Sequence, residues 1–557
     1  MIYLSIFIAF LSVLFGIIYF QYKRKNKEKD LLEKTWSQIR IRYRNYYLIN
    51  QFKPNDEESN SYCLTEQVLT DIDIEELFSF VDRTETTIGQ QYLFSKLSKP
   101  SISESELKLR GLWADFFIKN VEIRKKVQVI LYELEKSGTD QIADFFYPDK
   151  IISFSKYKKY LNLLTLLAIL SVSLCWTYPL VVFLMLFLFG LNLMIHLIFR
   201  YRNSNKLKAI RQVYKLIKVV DKLQGIKMPI NPDNISSAKE NFWKFKKVYH
   251  FLDFGIPLND ISSIVFYVFD LIKSFFLIEI HLLNFSYNEI IKNKEALKAF
   301  YIFIGKTEMA LSIASLKTDN TLINSRPYFV EETNSLIFED IVHPLIEHCA
   351  PNSLSLYKKS AFITGSNMSG KSTFLRAILI NSVLAQSLYL VFATIYKTPI
   401  LKTFSSIKIS DNLQEGKSFY FEEVNIIHEM IVNSNAELKN LFIIDEIFKG
   451  TNTVERIALS KAILQNLCKS GNIVIASSHD IELIELLNEE FELYHFAESI
   501  NSNRLYFDHK IKIGPLKTRN AIKIVEMEGF PSAIIEDAKS LAQDFLFLKW
   551  SNKNGKN

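Results

Sequence analysis

Cysteine is scarce and scattered in this chain. The four among 557 residues, Cys63, Cys175, Cys349 and Cys468, form no Cys-x-x-Cys pair, so neither a disulfide framework nor a zinc site is indicated, and a reducing, cytosol-facing body fits. No solenoid-type repeat is visible, and low complexity is confined to the Asn/Lys-rich tail after Ser551. The net charge of +7 is too small to choose between nucleic acid and lipid as an anionic partner. Charge is missing altogether from Tyr160 to Phe199, and Ile2 to Phe20 are almost wholly apolar. With a mean hydropathy of +0.08 over so long a chain, part of the protein is expected in lipid. The length suggests about three or four domains.

Basic residues bracket both apolar regions. Lys23, Arg24, Lys25, Lys27 and Lys29 follow the first at once, the charge step of a cytoplasmic membrane face, which orients Met1 outside. No basic residue precedes this run and no small-x-small cleavage site follows it, so residues 1–20 read as an uncleaved anchor rather than a signal peptide. The second region breaks near Thr177-Tyr178-Pro179 and is long enough for two spans of about 18 to 20 residues. Lys156, Lys158 and Lys159 precede it and Arg200 and Arg202 follow it. A transmembrane hairpin over 159–200, with its tip near Tyr178 facing outward, is therefore expected in preference to a buried hairpin of a soluble domain.

Residues 21–60 form a polar cytoplasmic linker ending in Pro54-Asn55-Asp56-Glu57-Glu58-Ser59, and order is expected to resume near Leu64. Asp73 with Glu76 makes a capping-box pattern for a helix through Val81, and a second helix starts at Thr87-Ile88-Gly89-Gln90. Beyond the hairpin, Ile210, Tyr214, Ile217 and Val220 share one helical face, and Arg211, Lys215, Lys218 and Lys222 share another. That basic stripe suits a solvated face, anionic lipid or nucleic acid. Apolar-periodic runs continue from Phe251 to Leu316, and short β-rich runs at Tyr328 to Phe338 mark a boundary near 325.

The chemistry lies beyond that boundary. Gly365-Ser366-Asn367-Met368-Ser369-Gly370-Lys371-Ser372-Thr373 follows the apolar run Ala361-Phe362-Ile363-Thr364 and precedes a helix-like segment. A Gly-rich turn between strand and helix lets backbone amides and the helix N-terminus receive phosphates. Lys371 would meet the β and γ phosphates and Ser372 would ligate Mg²⁺, so ATP with Mg²⁺ is the expected ligand. Leu441-Phe442-Ile443-Ile444-Asp445-Glu446 is an apolar strand ending in two acids, the Walker B layout. Asp445 would hold Mg²⁺ and Glu446 would act as base toward the attacking water. A third apolar strand, Asn472 to Ser478, ends at His479-Asp480, where His479 would sense the γ-phosphate.

With these pieces in order, residues 331 to 545 resemble the ATPase domain of the MutS family. The carrying segments are the loop from Thr364 to Thr373 with its Asn-Met pair, Asp445-Glu-Ile-Phe-Lys-Gly-Thr-Asn-Thr453, and Ser478-His479-Asp480. His343-Pro344 and Arg519-Asn520-Ala521 match flanking patterns. Upstream, Leu77 to Gly89 is similar to the opening of the family's core and lever helices, and Ile304 to Ala310 to their end. The resemblance implies a homodimer with composite sites. In it Asp411 to Phe419 resembles the segment that reaches the partner's γ-phosphate, with Ser418 making the contact in trans, and His495 falls where an adenine-stacking residue would lie.

The departures bear on function. The family's mismatch-reading N-terminal domain has no room before the helices, a membrane hairpin stands where mismatch-repair members insert a DNA clamp, and no Smr segment is expected after the ATPase part. The chain resembles a short, membrane-associated MutS-like subgroup. The expected fold is an α/β P-loop NTPase domain of ABC-like type over 326–545, including a C-terminal helical dimerisation segment. Before it come a discontinuous all-α core/lever domain, 61–158 and 201–325, and the membrane segments; a polar tail over 546–557 follows. The expected function is an ATP-hydrolysing switch at the cytoplasmic membrane. DNA, in mismatch repair or recombination, is the partner implied by resemblance. The rival readings are an ABC-type transport ATPase, for which no Leu-Ser-Gly-Gly-Gln signature appears, and a membrane scaffold with a nucleotide-gated switch.

Overall fold

The computed structural model describes the chain between residues 15 and 542 apart from 17–18, 20–21, 24–25, 53–60, 136–137, 139, 141, 147–157, 231–234, 253–261, 333, 409–418, 449–450, 481, 502–503, 517–520 and 528. The linker sequence Pro54–Ser59, most of the expected anchor and the tail lie outside the described residues, as do Ser418, Arg519 and Asn520. The chain divides into two units. One comprises 1–55, 81–95 and 112–318, the other 56–80, 96–111 and 319–557.

The first unit is helical. It contains a pair of helices, α1 (Lys158–Leu174) and α2 (Val181–Arg202), joined by a short turn; α3 (Ser204–Gln224) follows after Asn203. The hairpin expected from the sequence is thus helical on both sides of Tyr178. In α3 Ile210, Tyr214, Ile217 and Val220 are buried while Arg211, Lys215, Lys218 and Lys222 are exposed, the arrangement its 3.6-residue period dictates. The unit closes with α4 (Ile278–Lys292) and α5 (Lys294–Lys317). Among the described residues two helices are long and apolar enough to cross a membrane, α2, mostly exposed, and α5, mostly buried. Burial makes α5 a core helix: Phe52 and Phe146 pack on its Tyr301 with ring centroids 4.7 and 5.3 Å away.

The Asp82-Arg-Thr-Glu-Thr-Thr segment has a structural reason for its polarity. Asp82 is fully buried and accepts from Arg42 Nη2 at 2.8 Å, Arg44 Nε at 3.0 Å and Gln90 Nε2 at 3.0 Å. Glu85 pairs with Arg40. Glu308 of α5 accepts the backbone N–H of Glu85 at 2.6 Å and of Thr86 at 3.0 Å. Burial, then the charge of Glu85, pushes the Glu308 carboxyl up to about 8.

The second unit holds two sheets. Strands β1 (Tyr328–Phe329), β2 (Ser335–Ile341), β3 (Asn352–Tyr357), β4 (Ser360–Thr364), β5 (Ile395–Thr398), β6 (Lys402–Ser406), β7 (Asn440–Asp445), β8 (Ile473–Ser477), β9 (Phe491–Asn501) and β10 (Arg504–Ile513) divide into a four-stranded sheet, order β1-β5-β2-β3, and a six-stranded sheet, order β10-β9-β4-β8-β7-β6. In the larger, β9, β4, β8, β7 and β6 run parallel and only β10 is antiparallel. Strands β4, β7 and β8 are buried at every position, as continuous apolar runs in a covered parallel sheet must be. Helices α6 (Lys371–Leu388), α7 (Phe419–Asn433) and α8 (Thr453–Leu467) complete the site-bearing frame, with Leu464 and Leu467 in the core formed with Phe442, Val474 and Ile427.

Residues 61–80 and 96–111 group with this unit, whereas the sequence assigns them to the helical core/lever domain. The cause is polar. Asp71, fully buried, accepts from Ser405 Oγ at 2.7 Å, from the N–H groups of Ile407 at 3.1 Å and Lys408 at 2.7 Å, and from Gln67 Nε2 at 3.0 Å, tying the helix Glu66–Asp71 to the end of β6. The Ser101 N–H donates to Gln386 O at 2.8 Å, and the buried Arg110 guanidinium donates to Ser387 O.

Candidate nucleotide site

Strand β4 runs between β8 and β9 and delivers the loop Gly365–Gly370 to the first turn of α6. Two glycines shape the loop. Gly365 has φ +147° and a Cβ there would lie 2.7 Å from Phe496 O; Gly370 has φ +107° and a Cβ there would lie 3.1 Å from His509 Nδ1. Asn367–Ser369 form one short 3₁₀ turn, Ser366 Oγ donates to Glu498 Oε2 at 2.7 Å, and Ser369 Oγ donates to Ser366 O. The helix then opens with Lys371, Ser372 and Thr373.

The charged groups of three strand ends converge here. Lys371, fully buried, donates from Nζ to Gly365 O and lies 3.3 Å from His479 Nε2. His479 Nε2 is in turn 3.0 Å from Glu446 Oε1. At the end of β7, Asp445 accepts the Ser372 hydroxyl on one oxygen and the Ser477 hydroxyl on the other. One hydroxyl and one carboxylate at the N-terminus of a helix are a hard-oxygen donor set that fits Mg²⁺, and the glycine-shaped loop with a buried ammonium fits phosphate oxygens. The structure therefore brings together Gly365 to Thr373, Asp445, Glu446 and His479.

His495 is placed otherwise. It lies on β9 with Nδ1 2.7 Å from Gly514 O and does not line the cavity of about 350 Å³ beside the loop. That cavity is walled by Asn352, Met368, Gly370, Thr373, Phe374 and His509, among others. His509 is the residue that sequence reasoning missed. It sits in the left-handed region, φ 51°, at a bulge between β9 and β10, so its position depends on an irregularity that no periodicity announces. Its Nδ1 is 3.1 Å from Ser369 O, and its own carbonyl accepts from Asn352 Nδ2 at 3.0 Å.

Four residues brace the acidic strand end and the histidine. Ser477 is hydrogen-bonded to Asp445 as described. Glu423 of α7, buried, accepts the N–H of Phe448, and the Tyr420 ring packs 5.6 Å from that of Phe448. Glu446 and Phe448 both have positive φ, 63° and 57°, so this turn is strained and needs holding. Arg456 of α8 donates to both Asp480 oxygens at 2.8 and 2.7 Å, fixing the residue next to His479. The Asp480 hydrogen bond raises the Arg456 guanidinium above its ordinary value. In sequence, Arg456 and Asp480 are an unremarked basic residue in a helix and an acid after a strand.

Comparison with known proteins agrees with this geometry. Residues 361–546 match MutS domain V. The DNA mismatch repair protein MutS of Leptospira interrogans serovar copenhageni is 28% identical over 341 residues, 58% of this chain and 39% of that protein. The MutS protein of Thermus thermophilus is 29% identical over 203 residues, 36% and 25% of the two chains, and that of Lactobacillus delbrueckii subsp. bulgaricus is 31% identical over 228 residues, 39% and 26%. The matches thus span between a quarter and two fifths of the length of these relatives. Residues 361–546, whose strands place Lys371, Asp445, Glu446 and His479 around one loop, are thus similar to domain V of the MutS family.

Proposed function

We propose that this protein is a membrane-anchored, dimeric MutS-like ATPase that uses Mg²⁺-dependent ATP hydrolysis as a conformational switch, with DNA as its partner. The observation that carries the ATPase reading is the chain of contacts Lys371–His479–Glu446, at 3.3 and 3.0 Å, beside an Asp445 held by two hydroxyls. In this reading Ser372 and Asp445 would hold Mg²⁺, which would supply charge neutralisation at the phosphates. Lys371 and the amides of Gly365 to Gly370 orient the phosphates. Glu446 orients a water and takes its proton, and His479, already on Glu446, reports whether a γ-phosphate is present. His509, stacked beside the loop cavity, takes over the base-contacting role expected of His495. Ser418 remains the proposed contact in trans.

Two features support the membrane part. Phe183 and Phe187 of α2 are 73 and 67% exposed, as are Leu163, Leu166, Leu170 and other apolar side chains of α1 to lesser degrees. Exposed aromatics stand at both ends of the hairpin, Tyr160 and Tyr201 near the basic clusters and Trp176 and Tyr178 at the tip, the distribution of interfacial belts. The first span, from Ile2 to Phe20, completes the proposed three. DNA enters from the family and from the names of the relatives, and the partner in this chain is a proposal on that basis.

The test is Glu446→Gln in the detergent-solubilised full chain. Retained ATP with hydrolysis lost supports the assignment; undiminished turnover contradicts it. For DNA, affinity for duplex, junction or single strand that falls with salt is expected, and none for any form removes that partner.

A further inference from the structure

The end of the helix Ser262–Phe275 and the start of α4 carry their polarity the wrong way round for a water-soluble surface. The helix Ser262–Phe275 exposes Phe269, Leu271 and Ile272 at 47, 45 and 44%, while its Lys273 is only 9% exposed and lies 3.6 Å from Asp270. Across a left-handed turn at Leu277, φ 51°, α4 begins, and its Glu279, 13% exposed, faces His196 Nε2 at 3.2 Å and Arg200 Nε at 3.9 Å. Asn192, His196 and Arg200 are spaced four apart and share one face of α2. Charged and amide groups therefore point inward, toward α2, and large apolar ones point outward.

The turn also sits deep along the hairpin. Phe275 packs with Ala168 near the middle of α1 and with Leu188 of α2, its carbonyl accepts from Asn192 Nδ2 at 2.7 Å, and its ring is 5.8 Å from that of Phe189. Asn192 is at the midpoint of the 22-residue α2. Phe276 O accepts from Thr165 Oγ1 at 3.3 Å, and His281 Nε2 lies 2.9 Å from the same hydroxyl, one helical turn nearer the basic end. At 1.5 Å per residue, the ten residues from Asn192 to Arg202 place the Phe275–Leu277 turn roughly 15 Å in from the cytoplasmic end of α2. That is about half of a hydrocarbon core.

We infer that the Phe275–Leu277 turn and the ends of its two flanking helices form a re-entrant wedge in the cytoplasmic leaflet, with Phe269, Leu271 and Ile272 facing lipid acyl chains. This rests on the reading of α1 and α2 as spanning the bilayer. Backbone at such depth is tolerated when it lies against protein, as Phe275 O does on Asn192 and Phe276 O on Thr165. The outward apolar residues stand on a helix that packs against the hairpin through Phe275 and Phe189, and Glu279 is paired with Arg200 at the end where Arg200 and Arg202 mark the headgroups. The lipid contact of this protein would then include a part of the helical unit that neither length nor hydropathy marks as a span, because Asp270, Lys273 and Glu279 interrupt it.

The experiment uses the full chain in nanodiscs of phosphatidylcholine and phosphatidylglycerol. Single nitroxide labels go on a background with the native cysteines replaced, at Leu271 or Ile272 in the wedge, Leu170 in the hairpin and Lys218 on the basic face of α3. Leu170, 46% exposed, matches the wedge positions in exposure. The ratio of collision with oxygen to collision with a water-soluble nickel chelate is read. Ratios at Leu271 and Ile272 close to that at Leu170, and several-fold above that at Lys218, are expected. Wedge ratios like that at Lys218 while Leu170 remains lipid-like overturn the wedge and leave the spanning hairpin standing; an aqueous ratio at Leu170 overturns both.

Discussion

The two units of this chain bury polar groups for opposite reasons. Around the nucleotide loop, Lys371, Asp445 and Glu423 are withdrawn from water and held on one another or on backbone, in a sheet whose strands are otherwise apolar on both faces; this is polarity concentrated where charge must be handled. In the helical unit, Asp82 with its arginines and Glu308 with two amides lock segments together. At the hairpin the pattern turns inside out, with Asn192, His196 and Glu279 within and Phe183 and Phe187 without. Buried charge alone therefore does not mark a site. Convergence of strand ends on a glycine-shaped loop does.

The sharpest way to break that contrast is to remove the charge to which the chemistry is assigned in the proposed function. Glu446→Gln keeps the shape of the turn and is expected to lower the hydrolysis rate by roughly 10²–10⁴-fold with ATP affinity retained, measured by phosphate release and by nucleotide retention on a filter. Asp71→Ala removes an acceptor from four donors in a buried place and is expected to cost about 2–4 kcal/mol of stability in chemical unfolding, while nucleotide chemistry in the folded fraction is kept. A loss of turnover out of proportion to unfolding would move Asp71 from scaffold to site.

Glu308 separates the units by pH. Its folded value of about 8 lies above that of an unfolded glutamate, so the folded state holds the extra proton and stability falls as pH rises from about 5 to 8. The expected slope is at most about 1.4 kcal/mol per pH unit. Glu308→Gln flattens the slope seen in thermal midpoints, at the cost of stability at every pH, because the amide NH2 that replaces one carboxyl oxygen cannot accept, leaving either the Glu85 or the Thr86 N–H without its acceptor. The smallest effect is expected at Arg456. Lysine there cannot reproduce the paired bonds to Asp480, so Arg456→Lys lowers kcat a few-fold and leaves ATP affinity unchanged, the signature of a positioning residue acting through His479.

The legible parts of this chain were those carried by local pattern. The P-loop residues, Asp445-Glu446 and His479 declare themselves because each stands at the end of an apolar run, and the faces of α3 follow from a 3.6-residue period. What sequence could not give depended on distant pairing. Asp71 joins β6 across more than three hundred residues, which is why 56–80 cluster with the C-terminal unit. His509 reaches the loop cavity through a bulge, whereas His495, three residues before Glu498 on the neighbouring strand, turns to Gly514. The wedge was hidden because charges that pair inward look, in one dimension, like charges that face water.

The account depends most directly on Mg²⁺-dependent ATP hydrolysis by the full-length chain, measured side by side for the native protein and Glu446→Gln. It predicts turnover in the native protein that stops on chelation of Mg²⁺, and a variant that binds ATP without cleaving it. Turnover unaffected by the substitution, or a native protein that neither binds nor cleaves ATP, would contradict it.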